Sequence, residues 1–434
     1  MTSSTQEPVR STKTYSWRSA IRGNVLMIGL VSLFTDFSSE MIYPLLGFFF
    51  SGLTGGVESA AVCVGIMSGL AETTSSVLKI FSGRISDRLG KRKLLVAIGY
   101  GISALARPVM GLATTGWHVV ALRVGDRVGK GIRTAPRDAL LSDAVGADVR
   151  GLAFSFHRAM DHAGAILGPV VGVGILYLML GHGLWKGTAG VATAKEMHAL
   201  RWLFGIAFIP GVLAMVTILA KVKEIRPGRP GGAGKSPADR ASSPKLGRRF
   251  YGFIAAVSLF SLGNSDDLFL VLYAKAIFPH WGLVHMIGLW VVLHVAKIVF
   301  SLPGGIISDK LGRGPVLIAG WITYALVYLG MAMLGATWQL WVLIVLYGFY
   351  YGMTEGVEKA LVADFVPSAH RGRAYGIYHG AEGLAKLPAS LMFGVFWYVI
   401  GATVAFSIGA ALAAAAVIWL AVLLWTTSRA ARTS

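Results

Sequence analysis

A single cysteine, Cys63, stands in 434 residues, which excludes an intramolecular disulfide and any multi-cysteine metal site. Charge is scarce as well, at 14% of residues, where soluble chains average about 25%. Acids are the scarcer sign, with 21 Asp and Glu against 40 Lys and Arg. No G-x-x-x-x-G-K-[ST] loop occurs, and "RVGKGIR" from Arg127 lacks that pattern, so a nucleotide-driven pump is excluded. No nucleophile–base pair can be placed, so an enzyme is not expected, and no cofactor is implied. The first twenty residues are polar and basic without an apolar core, so no cleavable signal is expected.

What is present is apolar surface. Hydrophobic residues make up 55% of the chain and fall in blocks of about 20, the length that crosses roughly 30 Å of hydrocarbon as helix. Within lipid the backbone must satisfy itself, so these blocks are helices. The chain reads as an all-α membrane protein of twelve spans, near residues 24–50, 59–82, 94–113, 118–142, 151–181, 200–221, 250–277, 283–306, 315–335, 338–363, 373–399 and 402–426. A Gly-, Pro- and Ser-rich stretch, "KVKEIRPGRPGGAGKSPADRASSPKLGRR", separates spans six and seven with nine basic residues against two acids. It reads as a linker. The expected organisation is a tail (1–23), a six-helix bundle (24–221), the linker (222–249), a second six-helix bundle (250–426) and a short tail (427–434).

The net charge of +19 would suggest nucleic acid in a soluble protein. Here the basic residues fall in alternate loops, as cytoplasmic loops do under the positive-inside rule. Both termini are therefore expected inside a bacterial-type plasma membrane. The halves also repeat: "GRISDRLGKRK" from Gly83 recurs as "GIISDKLGRGP" from Gly305, and "RGLAFSFHRAMDHAG" from Arg150 as "RGRAYGIYHGAEGLA" from Arg371. Parallel six-span repeats place a binding site near mid-membrane between the halves.

Charges inside the spans mark that site. Asp36 and Glu40 lie one turn apart in span one, ahead of Pro44; a charge at mid-bilayer opposes insertion by about 2.5–3.5 kcal/mol. Pro44 lacks an N–H for the carbonyl of Glu40, which predicts a kink. In span four, Arg123, Arg127 and Lys130 share a face, with Asp126 placed to pair with Lys130 at i,i+4. Counting about 1.5 Å per residue, Glu40 matches Arg127 in depth and Asp36 matches Lys130. In the second half, Asp266 and Asp267 have no cation nearby in sequence, and Glu355 can neutralise Lys359 at i,i+4, with Glu358 between them. His157, Asp161 and His162 in span five, and His294 with Lys297 in span eight, are expected to be packing residues rather than metal ligands.

These landmarks resemble the major facilitator superfamily over nearly the whole chain. "GRISDRLGKRK" is similar to that family's G-x-x-x-D-R-x-G-R/K-R/K loop, with Gly83, Asp87, Arg88, Gly90 and Lys91 at its fixed positions. Asp309, Gly312 and Arg313 hold the corresponding places in the second copy. In span five, Gly164, Gly168, Pro169 and Gly172 resemble the antiporter signature G-x-x-x-G-P-x-x-G, although its final glycine pair is Gly172-Val173-Gly174 here. The resemblance implies alternating access, with Asp87 facing the N-terminus of span eleven in one state. It also implies that spans one, four, seven and ten line a central cavity holding the charges above. The resulting expectation is a proton-coupled secondary transporter, a monomer that exports a small, anionic solute. A proton-coupled or facilitative importer and a non-transporting receptor on the same fold are the alternatives.

Overall fold

The computed structural model describes residues 21–55, 57–181, 192–225, 246–265, 267–278, 281 and 283–430. The terminal tails, most of the linker and Asp266 lie outside the described residues. The described residues form twelve helical spans and no strand. Span one is Asn24–Glu40 followed by Leu46–Thr54; spans two to five are Val57–Leu89, Arg92–Gly111, Gly116–Asp143 and Arg150–Leu180. Span six is Ala194–Ile206 with Phe208–Lys221, and span seven is Arg248–Gly263 with Leu268–Ile277. Spans eight to twelve are Leu283–Leu311, Arg313–Ala332, Thr337–Asp364, Arg371–Val399 and Ala402–Ala430.

Three spans expected as single helices are broken, and each break has a local cause. In span one the α-helix stops at Glu40, and Ile42 and Leu45 donate to residues three back, Ser39 and Ile42, in a short 3₁₀ turn around Pro44. This is the kink that a missing N–H imposes. In span six the break at Ala207 precedes Pro210, and Ser38 of span one donates its hydroxyl to the Ala207 carbonyl. In span seven the helix lapses after Gly263, whose carbonyl accepts the Tyr324 hydroxyl at 2.8 Å, while Ser265 meets Tyr328 at 2.9 Å. Backbone freed in a membrane is satisfied by neighbouring helices, and here side chains of spans one and nine do it.

Span one packs on span five through the glycines of the signature. A methyl group at Gly164 would lie 2.5 Å from the Leu33 carbonyl, and one at Gly168 would lie 2.8 Å from both Glu40 Cβ and the Met41 nitrogen. One at Gly172 would lie 2.8 Å from the Met41 carbonyl. Small residues let membrane helices approach this closely. The signature therefore holds the Asp36–Met41 stretch against span five.

Between the halves, span two lies along span eleven and span five along spans eight and ten. Cores also form within each half: Phe49, Phe50, Leu203 and Phe204 in the first, and Phe260, Trp321, Tyr324 and Tyr328 in the second.

Candidate functional site

The loops between spans two and three and between spans eight and nine turn on Gly90 and Gly312, at φ +63° and +96°, a region glycine enters without strain. Each turn delivers an aspartate to a helix N-terminus in the opposite half. Asp87 accepts the backbone N–H groups of Gly372 at 3.0 Å and Arg373 at 2.7 Å, at the start of span eleven. Asp309 accepts those of Gly151 and Leu152 at 2.9 Å each, at the start of span five. An anion at a helix N-terminus meets free N–H groups and the positive end of the dipole.

Each contact is backed by a charge network in which Arg92 pairs with Asp87 at 3.4 Å and with Asp143, and Asp143 pairs with Arg371. In the second copy Arg313 pairs with Asp309 at 3.3 Å and with Asp364, and Asp364 pairs with Arg150 at 3.1 Å. Asp143 and Asp364 were missed from sequence, yet "SDAV" at Ser142 and "ADFV" at Ala363 share the offset of the flanking repeats. Arg88 and Lys91 of the loop motif are exposed, and among the described residues neither forms an ion pair. Arg92, buried and next in sequence, makes the contacts instead.

Beyond these latches, polar contacts between the halves continue inward and then stop. Arg158 of span five pairs with Glu355 of span ten at 2.9 Å, His162 meets the same carboxylate at 3.0 Å, and His379 of span eleven meets Asp138 of span four at 2.7 Å. Among the described residues, no hydrogen bond or ion pair joins the halves farther from the loop end than His162. The molecule is closed at the end carrying the two loops.

Above this seal lies a cavity of about 310 Å³ between the halves, at the small end of ligand sites, about 300–1,000 Å³. Its wall is charged, and most of the charge is paired. Lys297 meets Asp267 at 3.0 Å, Arg158 meets Asp161 and Glu355, Lys386 meets Glu382 at 3.3 Å, and Arg137 meets Asp138 at 2.9 Å. Lys79 stands 4.0 Å from Glu72. Two lining carboxylates, Asp36 and Glu358, have no cation within 4.0 Å among the described residues. Glu358 is held by neutral donors, Trp321 at 3.0 Å and Tyr378 at 2.8 Å.

Of the residues expected to form the site, Asp36, Lys130, Asp267, Glu355 and Glu358 line the cavity. Glu40, Arg123 and Arg127 are not among its lining residues, and Asp266 lies outside the described residues. Four expected pairings differ in the structure. Asp126 turns to Arg123 at 2.9 Å and Arg107 at 3.9 Å, with Arg127 at 4.0 Å, rather than to Lys130. Glu355 takes Arg158 and His162, not Lys359. Asp267 is fully engaged by Lys297, Tyr347 and Tyr351. Neither Asp36 nor Glu40 forms an ion pair with span four among the described residues. The basic face of span four that reaches the cavity is Lys130, Arg133 and Arg137, about two turns farther along than the expected one.

A two-fold repeat of six helices, with loop-borne aspartates docking across the halves and a cavity between them, is the architecture against which known proteins can be compared. The family model described as Major Facilitator Superfamily matches residues 26–292 and 255–434. The chain belongs to the Major Facilitator Superfamily. An uncharacterized transporter of this superfamily from Methanocaldococcus jannaschii is 32% identical over 381 residues, covering 87% of this chain and 89% of that protein. The multidrug resistance protein MdtH of Edwardsiella ictaluri is 29% identical over 163 residues, 38% of this chain and 39% of that one. Among solved structures, the human organic anion transporter MFSD10 aligns with a TM-score of 0.72 at 14% identity, covering 92% of this chain and 98% of that one. The proton:xylose symporter XylE aligns with a TM-score of 0.70 at 17% identity, covering 93% and 96%. At such identities the structural likeness speaks for the fold. The chain is thus a multi-pass membrane transporter of the superfamily that carries a small-molecule substrate.

Proposed function

We propose that this transporter is a proton-coupled exporter of a small solute, working as a monomer in the plasma membrane with both termini cytoplasmic. The observation that carries the reading is the pair Asp36 and Glu358, one from each half, lining the inter-half cavity without a cationic partner. A carboxylate on a cavity wall with no cation to hold its charge is free to exchange a proton, which is what coupling to a gradient requires. The latches at the loop end fit a state closed to the cytoplasm, in which a solute in the cavity would face outward. The likeness of part of the chain to a multidrug resistance protein supports the export direction.

In this reading the cycle alternates two closures. Breaking the Asp87 and Asp309 contacts opens the cytoplasmic end, and solute entry then accompanies proton release from Asp36 or Glu358. Reprotonation from outside resets the protein. Uptake into inverted membrane vesicles, with and without an imposed pH gradient, tests it. A solute is expected to accumulate only when the vesicle interior is acidic, and accumulation that ignores the gradient would refute the coupling.

A further inference from the structure

Eight cationic side chains line the cavity, and five of them face carboxylates within 4.0 Å. The three without such a partner are Lys130, Arg133 and Lys359, which outnumber the two unpartnered carboxylates among the described residues. Lys359 is the sharpest case. It is only 3% exposed, and its ammonium group makes no hydrogen bond or ion pair with any described residue. The carboxylates whose fields reach it, Asp138 and Glu355, are occupied by Arg137 with His379 and by Arg158 with His162. Burying a cation without a direct partner is costly, and Asp138 and Glu355 offset that cost only from a distance.

Span four supplies the rest. Lys130, Arg133 and Arg137 follow at helical spacing along the cavity wall, so the stripe covers about 10 Å of the helix. Arg133 is held by neutral groups: Ser103 at 2.5 Å, the Gly99 carbonyl at 3.3 Å, and the Tyr100 ring at 4.3 Å from its guanidinium carbon. Its charge is oriented but not neutralised. Among the described residues three cations without a carboxylate within 4.0 Å stand against two carboxylates without a cation, while Arg158 faces two carboxylates, so the positive charge is local to Lys359 and the Lys130–Arg133 stretch rather than a net charge of the cavity.

We propose that the cavity binds a small organic anion, its carboxylate or phosphate group lying between Lys359 of span ten and the Lys130–Arg133 stretch of span four. This rests on the transporter reading and names its substrate class. An anion so placed touches both halves at once, and it supplies the charge that the protein leaves out.

The test is a melting-temperature titration of the full-length protein in detergent. Benzoate, succinate and inorganic phosphate serve as anionic probes, with tetraphenylphosphonium and ethidium as cationic ones. At least one anion is expected to stabilise the protein saturably, and neither cation is. Lys359→Gln is expected to raise the ligand-free melting temperature, since an unpaired buried charge is removed, while weakening the anion by about tenfold or more. A residue serving only structure would lower the melting temperature instead. Lys359→Arg is expected to retain the anion response, and so is Lys221→Gln, on the exposed end of span six. Stabilisation by cations alone, no saturable response to any of the anions, or an anion response unchanged in Lys359→Gln would overturn the proposal. Anion binding without gradient-driven movement in vesicles would reject the transport reading and leave the subsite standing. Gradient-driven movement of an anion that ignores Lys359→Gln would do the reverse.

Discussion

Replacing Asp87 by asparagine keeps the shape of the side chain and removes its charge and one of its two acceptor oxygens. The structure gives both oxygens work: one accepts the Gly372 N–H at 3.0 Å and the other the Arg373 N–H at 2.7 Å, with Arg92 at 3.4 Å. A charge at a helix N-terminus is worth about 0.3–2 kcal/mol, and a hydrogen bond to a charged group about 1.5–3 kcal/mol. The two describe the same contacts and overlap, so about 1.5–2.5 kcal/mol is expected to leave the loop-closed state. That shifts the balance between closed and open loop ends by about ten- to sixtyfold. The assay places a cysteine at Ser261, which lines the cavity, on a background lacking the buried Cys63. A membrane-impermeant maleimide is applied from the face opposite the loops, and labelling is expected to slow severalfold. Asp309→Asn, which loses the equivalent contacts to Gly151 and Leu152, is expected to act in the same direction. The two latches share no partner, so the double variant should add their effects. Labelling that is unchanged or faster in both single variants would refute the latch, leaving the loops with a purely topogenic role.

Asp36→Asn and Glu358→Gln are each expected to abolish gradient-driven transport while leaving the protein in the membrane at normal levels; undiminished transport in both would remove proton coupling from these residues. Gly168→Ala forces a methyl group to within 2.8 Å of Glu40 Cβ and the Met41 nitrogen, and overpacking of this kind costs about 1–3 kcal/mol, read as a lower melting temperature in detergent. Arg158→Met alone takes the guanidinium from Glu355 and Asp161, leaving them His162 and His157, and is expected to cost about 3–5 kcal/mol. Adding Glu355→Leu should recover part of that loss, and a double variant no more stable than the single one would show that the pair is not a closed unit.

The fold was legible because its signals are one-dimensional. Span length, the repeat offset and the placement of Lys and Arg all read directly along the chain. The docking of Asp87 at the start of span eleven follows from the motif at Gly83 once its family pattern is seen. The site was less legible because pairing across helices depends on rotation, which a sequence does not print. Asp126 and Lys130 are neighbours at i,i+4, yet Asp126 takes Arg123 one turn back at 2.9 Å, with Arg107 of span three at 3.9 Å. Glu355 and Lys359 obey the same spacing, yet Arg158, far away in sequence, reaches Glu355 first. Asp267 finds Lys297 thirty residues later, on the next span. Local rules described possible partners, and packing chose others.

Four of the spans that bear this charge do not qualify as membrane helices on their own among the described residues. Among the described residues, spans one, three, five, six, eight, nine, ten and twelve contain helices long and apolar enough to cross by length and composition, whereas two, four, seven and eleven do not. All four line the cavity, through Glu72 and Lys79, Lys130 to Arg137, Asn264 and Asp267, and Tyr378 to Lys386. Their charges are tolerable only because they face each other rather than lipid. In such an arrangement most ion pairs make poor witnesses to function, since pairing is the condition for burying them at all. The informative groups are the exceptions. Asp36 and Glu40 lie on one helix, one turn apart, but only Asp36 reaches the cavity, and it does so without a partner. Lys359 sits beside Glu358 in sequence, and neither neutralises the other. A membrane protein that needed these charges only to hold its halves together would have paired them across the halves, as it paired Arg158 with Glu355.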